Sequence, residues 1–240
     1  MKKNILILVL LIFVLGLGSV YVYTQEKPRI GVLRFTNNVA GLYWWHANVA
    51  SELQDLLASE LVSTRAFQVL ERKEINAVLS EQDFSASGRV SKETLVKMKK
   101  IKGAKYLVMG TVAAFEMSGK KGGGIGYKGF KIGGKKTKTY IAVDVKVVDT
   151  ETGEVVDART IEASAKGSAL GASAYVKGFS IGGAQEKKTP TGKAIRACII
   201  YISEYLTCSL VQGLDAPCMG KWNQMDASRR EKTKKSISLD

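Results

Sequence analysis

The sequence predicts an α+β protein in which one mixed α/β domain is interrupted by two glycine-rich inserts. Three observations lead to this class. The 240-residue chain is 45% hydrophobic and 24% charged, which is enough apolar material for one sizeable core. Its apolar residues recur at helical spacing in some segments and alternate at strand spacing in others. Two long inserts poor in large apolar residues separate these segments, so we expect the core domain to comprise roughly residues 29–112 and 140–212.

The N-terminus has the pattern of an export segment. Lys2 and Lys3 precede eleven consecutive apolar residues, and residues 4–25 carry no charge. A run of 22 uncharged residues is also long enough to span a bilayer, and no A-x-A cleavage site is present. Residues 1–25 are therefore either a cleaved signal or a retained anchor. Position 19 is serine, whereas lipid attachment to a mature N-terminus would need cysteine.

Charge and residue content favour a binding or transport role over catalysis. Lys and Arg outnumber Asp and Glu by 36 to 22, so a net charge of +14 points to an anionic partner. No zinc knuckle, basic zipper or aromatic RNA-binding signature is present, so we expect no nucleic acid partner. His46 is the single histidine, and we expect no catalytic residue, metal ligand or cofactor and no enzymatic activity. The G-x-G-x-x-G at 124–129 precedes a Lys/Gly run that cannot begin the helix a nucleotide site needs.

The first half of the domain reads as strand, loop, helix, strand and two helices. Residues 29–35 predict a strand, and the loop 36–45 follows it. Residues 46–64 predict a helix, because Val49, Leu53, Leu57 and Leu61 recur at three-and-four spacing. A short strand is expected at 67–70. Helices are expected at 73–80 and at 91–102, the second capped by Ser91.

The second half predicts three strands and a helix. The strands are expected at 106–112, 140–149 and 154–165, with a turn at 149–153 joining two antiparallel strands. Residues 191–210 predict a helix that opens after Pro190. Residues 221–240 are expected to form a mobile polar tail.

The two inserts share a repeated motif. Residues 118–139 contain seven lysines, eight glycines and no acidic residue. Six of seven positions recur at a spacing of 49. The identical positions are Lys128, Gly129, Phe130, Ile132, Gly133 and Gly134 in the first copy and Lys177, Gly178, Phe179, Ile181, Gly182 and Gly183 in the second. We interpret each copy as part of a long β-hairpin that needs neighbouring strands for stability. A ring of subunits could supply them and close a membrane barrel. Exposed loops of a soluble domain are the alternative, since a lysine at mid-bilayer costs about 2–4 kcal/mol.

The order of motifs resembles one family. Leu-Glu-Arg at 70–72, Lys-Tyr-Leu-Val-Met-Gly-Thr-Val at 105–112, a Gly-Gly-Gly-Ile-Gly-Tyr insert, Ile-Ala-Val-Asp-Val-Lys-Val-Val-Asp at 141–149 and Thr-Gly-Glu-Val-Val at 152–156 are similar to the curli production assembly/transport component (CsgG) family. The resemblance implies an outer-membrane secretion channel with a periplasmic α/β domain. Two long β-hairpins per subunit would close an oligomeric transmembrane β-barrel that passes unfolded protein by diffusion. The implied partners are a homo-oligomeric ring, membrane lipid, a secreted unfolded substrate and accessory secretion factors.

The resemblance also assigns a role to each part of the chain. The parts are an export signal or anchor at 1–25, the first part of the periplasmic domain at 26–112, a transmembrane hairpin at 113–147, a periplasmic turn and strand at 148–158, a second transmembrane hairpin at 159–189, a C-terminal helix at 190–220 and a polar tail at 221–240. In this family the loop after the first strand narrows the pore. The corresponding residues here are Asn37, Asn38, Tyr43, Trp44 and Trp45, although packing in the core or at a membrane interface would equally suit the two tryptophans.

Two further alternatives concern the cysteines and the cellular role. Cys208 and Cys218 could form a disulfide in an oxidising compartment, which would leave Cys198 as a small buried residue. The other reading of the whole chain is a soluble or membrane-tethered periplasmic adaptor, held by residues 5–24, that binds cell wall or a partner protein through its basic hairpins.

Overall fold

The computed structural model describes residues 26–96, 100–120, 125–127, 130–132, 135–169 and 189–237. The elements in chain order are β1 (Arg29–Val32), β2 (Thr36–Asn37), α1 (Val49–Thr64), β3 (Gln68–Leu70), α2 (Ile75–Ala86), β4 (Tyr106–Lys120), β5 (Ile125–Tyr127), β6 (Phe130–Ile132), β7 (Lys135–Asp149), β8 (Val155–Ala169), α3 (Pro190–Thr207) and α4 (Met219–Ser236). The predicted export segment 1–25 lies outside the described residues. So do Lys128, Gly129, Gly133 and Gly134 of the first motif and all of the second motif.

One mixed sheet organises the domain, which confirms the α+β class. Its strand order is β3-β1-β4-β7-β8, and β2 pairs separately with β4. β1 runs parallel to both β3 and β4, whereas β7 runs antiparallel to both β4 and β8. The antiparallel part therefore follows the meander that the turn at 149–153 predicts. Gly153 has a φ of +74°, a conformation that glycine adopts without steric cost.

The helix α1 forms where the apolar spacing predicts it. Val49, Leu53, Leu57 and Leu61 are all buried on the face that contacts the sheet. Gln54 lies on the same buried face and donates a hydrogen bond from Nε2 to the carbonyl oxygen of Val32, 2.7 Å away. This bond satisfies part of a buried amide and ties the helix to β1.

The helix α3 packs beside α1 and covers β7 and β8. The hydroxyl of Thr189 accepts a hydrogen bond from the Gly192 amide, and Pro190 occupies the first turn, where a missing N–H costs little. Together with the π-helical turn at Cys208–Gln212, this helix is long and apolar enough to cross a membrane. More than half of that apolar stretch is buried against the rest of the domain, so α3 is a core helix.

β4 and β7 form a hairpin that extends beyond the part of the sheet covered by α1 and α3. Both strands are 15 residues long, and their register continues from Tyr106↔Asp149 to Lys120↔Lys136. The short strands β5 and β6 pair with each other at Tyr127↔Phe130, in the connection between β4 and β7. β8 follows β7 along its whole length to Lys135↔Ala169.

A one-residue bulge interrupts β4 at the base of this hairpin. Val112 is paired with Val143, but the next paired position is Ala114 with Ala142. Ala113 is therefore an extra residue on β4, and it lies next to the last fully buried valine of the strand.

The helix expected at 91–102 does not form in the part of it that the structure describes. Residues 92–94 make a single turn, closed by the Thr94 amide and the Ser91 carbonyl oxygen, and residues 100–104 have no regular structure. Leu95 and Val96 are both 46% exposed. Without a buried face, the segment lacks the packing from which most helices in proteins gain their stability.

The tail expected to be mobile contains a helix instead. Residues Met219–Ser236 form α4, and its first turn buries Met219 and Trp222. Ion pairs of Asp226 with Arg230 and of Glu231 with Lys235 lie one turn apart along the helix. The charged segment is therefore a docked helix, in which Asp226 and Arg229 are only 20% and 27% exposed.

Candidate functional site

The loop 36–45 is attached to β4 where the long hairpin leaves the domain. Thr36 and Asn37 pair with Thr111 and Val112, and the Asn38 amide donates a hydrogen bond to the Val112 carbonyl oxygen. The two threonine hydroxyls lie 2.7 Å apart. The predicted constriction loop and the base of the hairpin thus form one structural unit.

The two asparagines of this loop differ in their contacts. Asn37 donates from Nδ2 to the carbonyl oxygen of Val39 at 3.0 Å and accepts from the Val39 amide at 2.8 Å. Both ends of its side-chain amide therefore bind the loop backbone. Asn38 is exposed, and its backbone is held by the β4 bond.

The two tryptophans lie on the core side of the loop. Trp44 is fully buried, with its ring centroid 5.9 Å from that of Trp45 and 5.5 Å from that of Phe115. Both contacts are edge-to-face, as aromatic rings prefer. The core-packing alternative therefore accounts for Trp44, and Trp45 is partly buried against the same cluster.

Tyr43 is the exposed aromatic residue of the loop. Its side chain is 64% exposed, and its ring meets the edge of Phe115 at 5.9 Å. Its hydroxyl lies 3.1 Å from the hydroxyl of Thr191, in the first turn of α3. Tyr43 thus bridges the loop, the hairpin and α3, and with Asn38 it forms the part of the predicted site that is open to solvent.

The hairpin presents an apolar face and a polar face. The pairs Phe115↔Ile141 and Ile141↔Ala163 continue the face that packs on the helices, followed by Met117↔Thr139 and Thr139↔Ala165. We call this the apolar face. The opposite, polar face carries Glu116 opposite Tyr140, and the Tyr140 hydroxyl donates to Glu162 at 2.9 Å.

A pair of lysines lies on the polar face farther from the domain. Lys138 pairs with Lys166, and both side chains are exposed.

A cluster that the sequence did not reveal joins β8, α3 and α4. The Tyr205 hydroxyl donates to Asp157, and the Arg159 guanidinium lies 5.0 Å from the Tyr205 ring. Burial and the bond to Asp157 raise the pKa of Tyr205. Trp222 packs on the same ring with centroids 5.6 Å apart. The apolar residues Met219, Trp222 and Met225, spaced by three, were the signal that could have predicted this docked helix.

A disulfide joins the end of α3 to the start of α4. Cys208 and Cys218 are bonded, with Cα atoms 6.0 Å apart. Cys198 is a buried free cysteine, and burial raises the pKa of its thiol, which keeps it in the unreactive protonated form.

A cavity of about 560 Å³ lies between the polar face and α4. It is lined by five cations and two carboxylates: Arg34, Lys146, Arg159, Arg229, Arg230, Asp144 and Asp226. Partial burial raises the pKa of Asp226, but the hydrogen bonds from Arg229 and Arg230 outweigh that effect and hold it below its ordinary value. No lining residue is a histidine or a cysteine.

Within residues 26–96, 100–120, 125–127, 130–132, 135–169 and 189–237, no three His, Cys, Asp or Glu side chains are grouped to hold a metal ion.

Comparison with known proteins gives one family match. A family model described as "Curli production assembly/transport component CsgG" matches residues 19–237. A search of curated proteins finds no match.

Several solved structures are similar over most of the chain. The hypothetical protein CT253 from Chlamydia trachomatis is 16% identical with a TM-score of 0.45, covering 77% of this chain and 99% of that chain. A PelC dodecamer from Paraburkholderia phytofirmans is 12% identical with a TM-score of 0.32, covering 76% and 87%. Lipoprotein GNA1162 from Neisseria meningitidis is 16% identical with a TM-score of 0.30, covering 61% and 88%.

Proposed function

Because the chain belongs to the CsgG family of curli production assembly/transport components, we propose that it is a subunit of an oligomeric outer-membrane secretion channel. The family is one of transport components of the cell envelope. In the proposed channel, unfolded protein substrates pass by diffusion, with no catalytic step. Membrane lipid surrounds the barrel, and accessory secretion factors deliver or receive the substrate.

The observation that carries this proposal is the two-faced hairpin of β4 and β7. β4 and β7 are each 15 residues long, whereas a membrane strand needs about 9–11. One face of the described part is apolar and the other is polar, as in strands of outer-membrane barrels. The domain core accounts for the apolar face at Ile141, Ala163 and the buried Thr139, whereas Met117 is 56% exposed on the same face.

The outer edge of β8 supports assembly with other copies. In the described part of the chain, β8 pairs with β7 alone, so one side of this 15-residue strand has no hydrogen-bonding partner. Long open edges favour addition of another strand. In the proposed ring, the second hairpin at 159–189 of each subunit continues the sheet to its neighbour and the barrel has no free edge.

The loop at the base of the hairpin would form the constriction. Asn38 and Tyr43 are exposed there and offer a neutral amide and a flat aromatic face, which contact an extended chain without holding it by charge. Asn37 and Trp44 shape the loop from beneath, and Trp45 borders it. Cargo would therefore meet the loop as it enters the barrel.

Single-particle electron microscopy of the full-length protein in mild detergent tests this function. We expect closed rings with a detergent belt at the hairpin end, and membranes washed in alkaline carbonate should retain the protein. Monodisperse monomers or dimers without a belt would contradict the channel. That result would instead favour the periplasmic adaptor tethered by residues 5–24.

A further inference from the structure

We propose that the cavity between the polar face and α4 is a binding site for a phosphate group, in which Arg34, Lys146 and Arg230 hold the phosphate oxygens. The site lies within the α/β domain. It goes beyond the proposed channel function and does not depend on it.

Three parts of the fold meet at this cavity. Arg34 lies between β1 and β2, Lys146 belongs to β7, and Arg229 and Arg230 belong to α4. The volume of about 560 Å³ is in the range of small-molecule sites. A ligand bound there would therefore join segments that are far apart in the sequence.

The cavity has an excess of positive charge. Its five cations and two carboxylates leave a net charge of +3. Both carboxylates are already engaged by the protein. Asp226 pairs with Arg229 at 2.6 Å and with Arg230 at 2.7 Å, and Asp144 accepts a hydrogen bond from the Thr160 hydroxyl at 2.7 Å. Because like charges in one concave site repel one another and focus the electric field, the cavity should attract an anion.

Several charged donors in this cavity are available to a ligand. Arg34 and Lys146 are exposed, and neither forms an ion pair within the described part of the chain. Arg230 binds Asp226 through Nε, which leaves its two Nη groups to contact a ligand. These three side chains come from three different segments, so they can surround one anion.

A phosphate group suits these donors better than a carboxylate. A phosphomonoester has a charge of about −1.5 to −2 near pH 7 and three acceptor oxygens, whereas a carboxylate has one charge and two oxygens. Guanidinium groups bind phosphate through paired N–H donors, and lysine adds a compact charge. The hydroxyls of Thr36 and Thr111, which also line the cavity, bond each other at 2.7 Å. Only one proton of this hydroxyl pair is used, so the other can be donated to a phosphate oxygen.

Isothermal titration calorimetry of the full-length protein in a neutral detergent tests the inference, with pyrophosphate as the probe. We expect saturable binding of pyrophosphate and none of acetate at the same ionic strength. R34Q/K146Q should weaken binding by about tenfold or more, since hydrogen bonds between charged groups are lost. The matched control is R89Q/K92Q, which removes one arginine and one lysine at exposed positions outside the cavity.

Two results would overturn the site. One is the absence of saturable pyrophosphate binding to the native protein. The other is an equal loss of affinity in R34Q/K146Q and R89Q/K92Q, because that would show a general attraction of anions to a basic protein. Melting curves without ligand check that the variants fold. If R34Q/K146Q unfolds early, the single variants R34Q and K146Q take its place, and each should weaken binding.

Competition distinguishes the sources of the phosphate group. Glycerol phosphate and detergent micelles doped with phosphatidate present the same phosphomonoester in soluble and lipid form. Displacement of pyrophosphate by both supports a site that a lipid headgroup enters, and displacement by glycerol phosphate alone supports a site for a soluble phosphomonoester. Pyrophosphate that neither competitor displaces would contradict recognition of a phosphate group.

Discussion

Gly110 lies where the ring of Phe35 crosses β4. A Cβ atom at this glycine would approach three atoms of that ring to less than 3.0 Å. Phe35 is only 2% exposed, so it has no solvent space into which to move. The absence of a side chain at this position is what lets the segment after β1 close over the sheet.

We expect Gly110→Ala to lower the free energy of unfolding by about 1–3 kcal/mol, the usual cost of overpacking a core. Gly103→Ala is the matched control, because an added Cβ there meets no atom within 4 Å. Thermal unfolding of the full-length variants in detergent measures the difference. Equal melting temperatures for the two variants would show that Phe35 can be displaced at little cost.

Tyr43 and Trp44 are adjacent but should respond differently to truncation. Trp44→Ala removes a fully buried side chain and should destabilise the protein by about 3–5 kcal/mol. Tyr43→Ala removes an exposed ring and should change stability less, while widening the proposed constriction. Single-pore conductance and melting temperature, recorded on both variants, separate the two effects. A Tyr43→Ala pore of unchanged conductance would contradict the constriction proposed at this loop.

The residue types of this loop could be predicted from sequence, but their division between core and solvent could not. Neighbouring aromatic residues in a loop have no periodicity that assigns a face. The deciding partner of Trp44 is Phe115, 71 residues away on the hairpin. Asn37 is likewise committed to the Val39 backbone, a local contact that the sequence allows but does not require.

At the scale of elements, the disulfide between Cys208 and Cys218 limits how far α4 can separate from α3. Closing a loop of about ten residues lowers the entropy of the unfolded chain, which corresponds to about 2–3 kcal/mol of stability. Trp222 lies four residues after Cys218 and packs against Tyr205 of α3.

We expect a reducing agent to lower the melting temperature of the native protein. The double variant C208S/C218S should melt at the reduced protein's temperature and should not respond to the reductant. Mass spectrometry of non-reduced peptides checks the pairing directly. A native protein whose melting is unaffected by reduction would mean that packing of Met219 and Trp222 alone holds α4.

Elements with a long apolar stripe or strict alternation could be predicted, and those held by a few contacts could not. α1, α3 and the three long strands follow their patterns closely because each buries a continuous face. α4 docks mainly through its first turn, so its remaining charged residues resemble a tail. The segment 91–102 has helical spacing but no buried face, and the spacing alone was misleading.

At the scale of the whole molecule, we expect the end of the β4–β7 hairpin to contribute to assembly and not to the folding of the domain. In the part of the chain whose burial the structure describes, the buried residues nearest the end of this hairpin are Val112 on β4 and Thr139 on β7. The β4–β7 ladder is complete down to Lys120↔Lys136 without that segment. The domain core should therefore fold without the end of the hairpin.

We expect replacement of residues 121–135 by Asn-Gly, a strong two-residue hairpin turn, to preserve the fold and abolish ring assembly. Circular dichroism should show a native-like melt, and electron microscopy should show no belted rings. A variant with substitutions in the exposed turn 92–94 and an otherwise unchanged sequence is the control for handling in detergent. Belted rings from the shortened chain would exclude this hairpin from the barrel.

The bulge at Ala113 determines on which side of the sheet each later residue of β4 lies. Below it, even-numbered positions such as Val108 and Val112 point into the core; beyond it, odd-numbered positions such as Phe115 and Met117 share that side. If Ala113 were instead paired as an ordinary strand residue, every later position of the arm would exchange sides, and Phe115 would leave the side on which Val112 lies. Deletion of Ala113 would remove the bulge, and each later residue would keep its present partner and its present side.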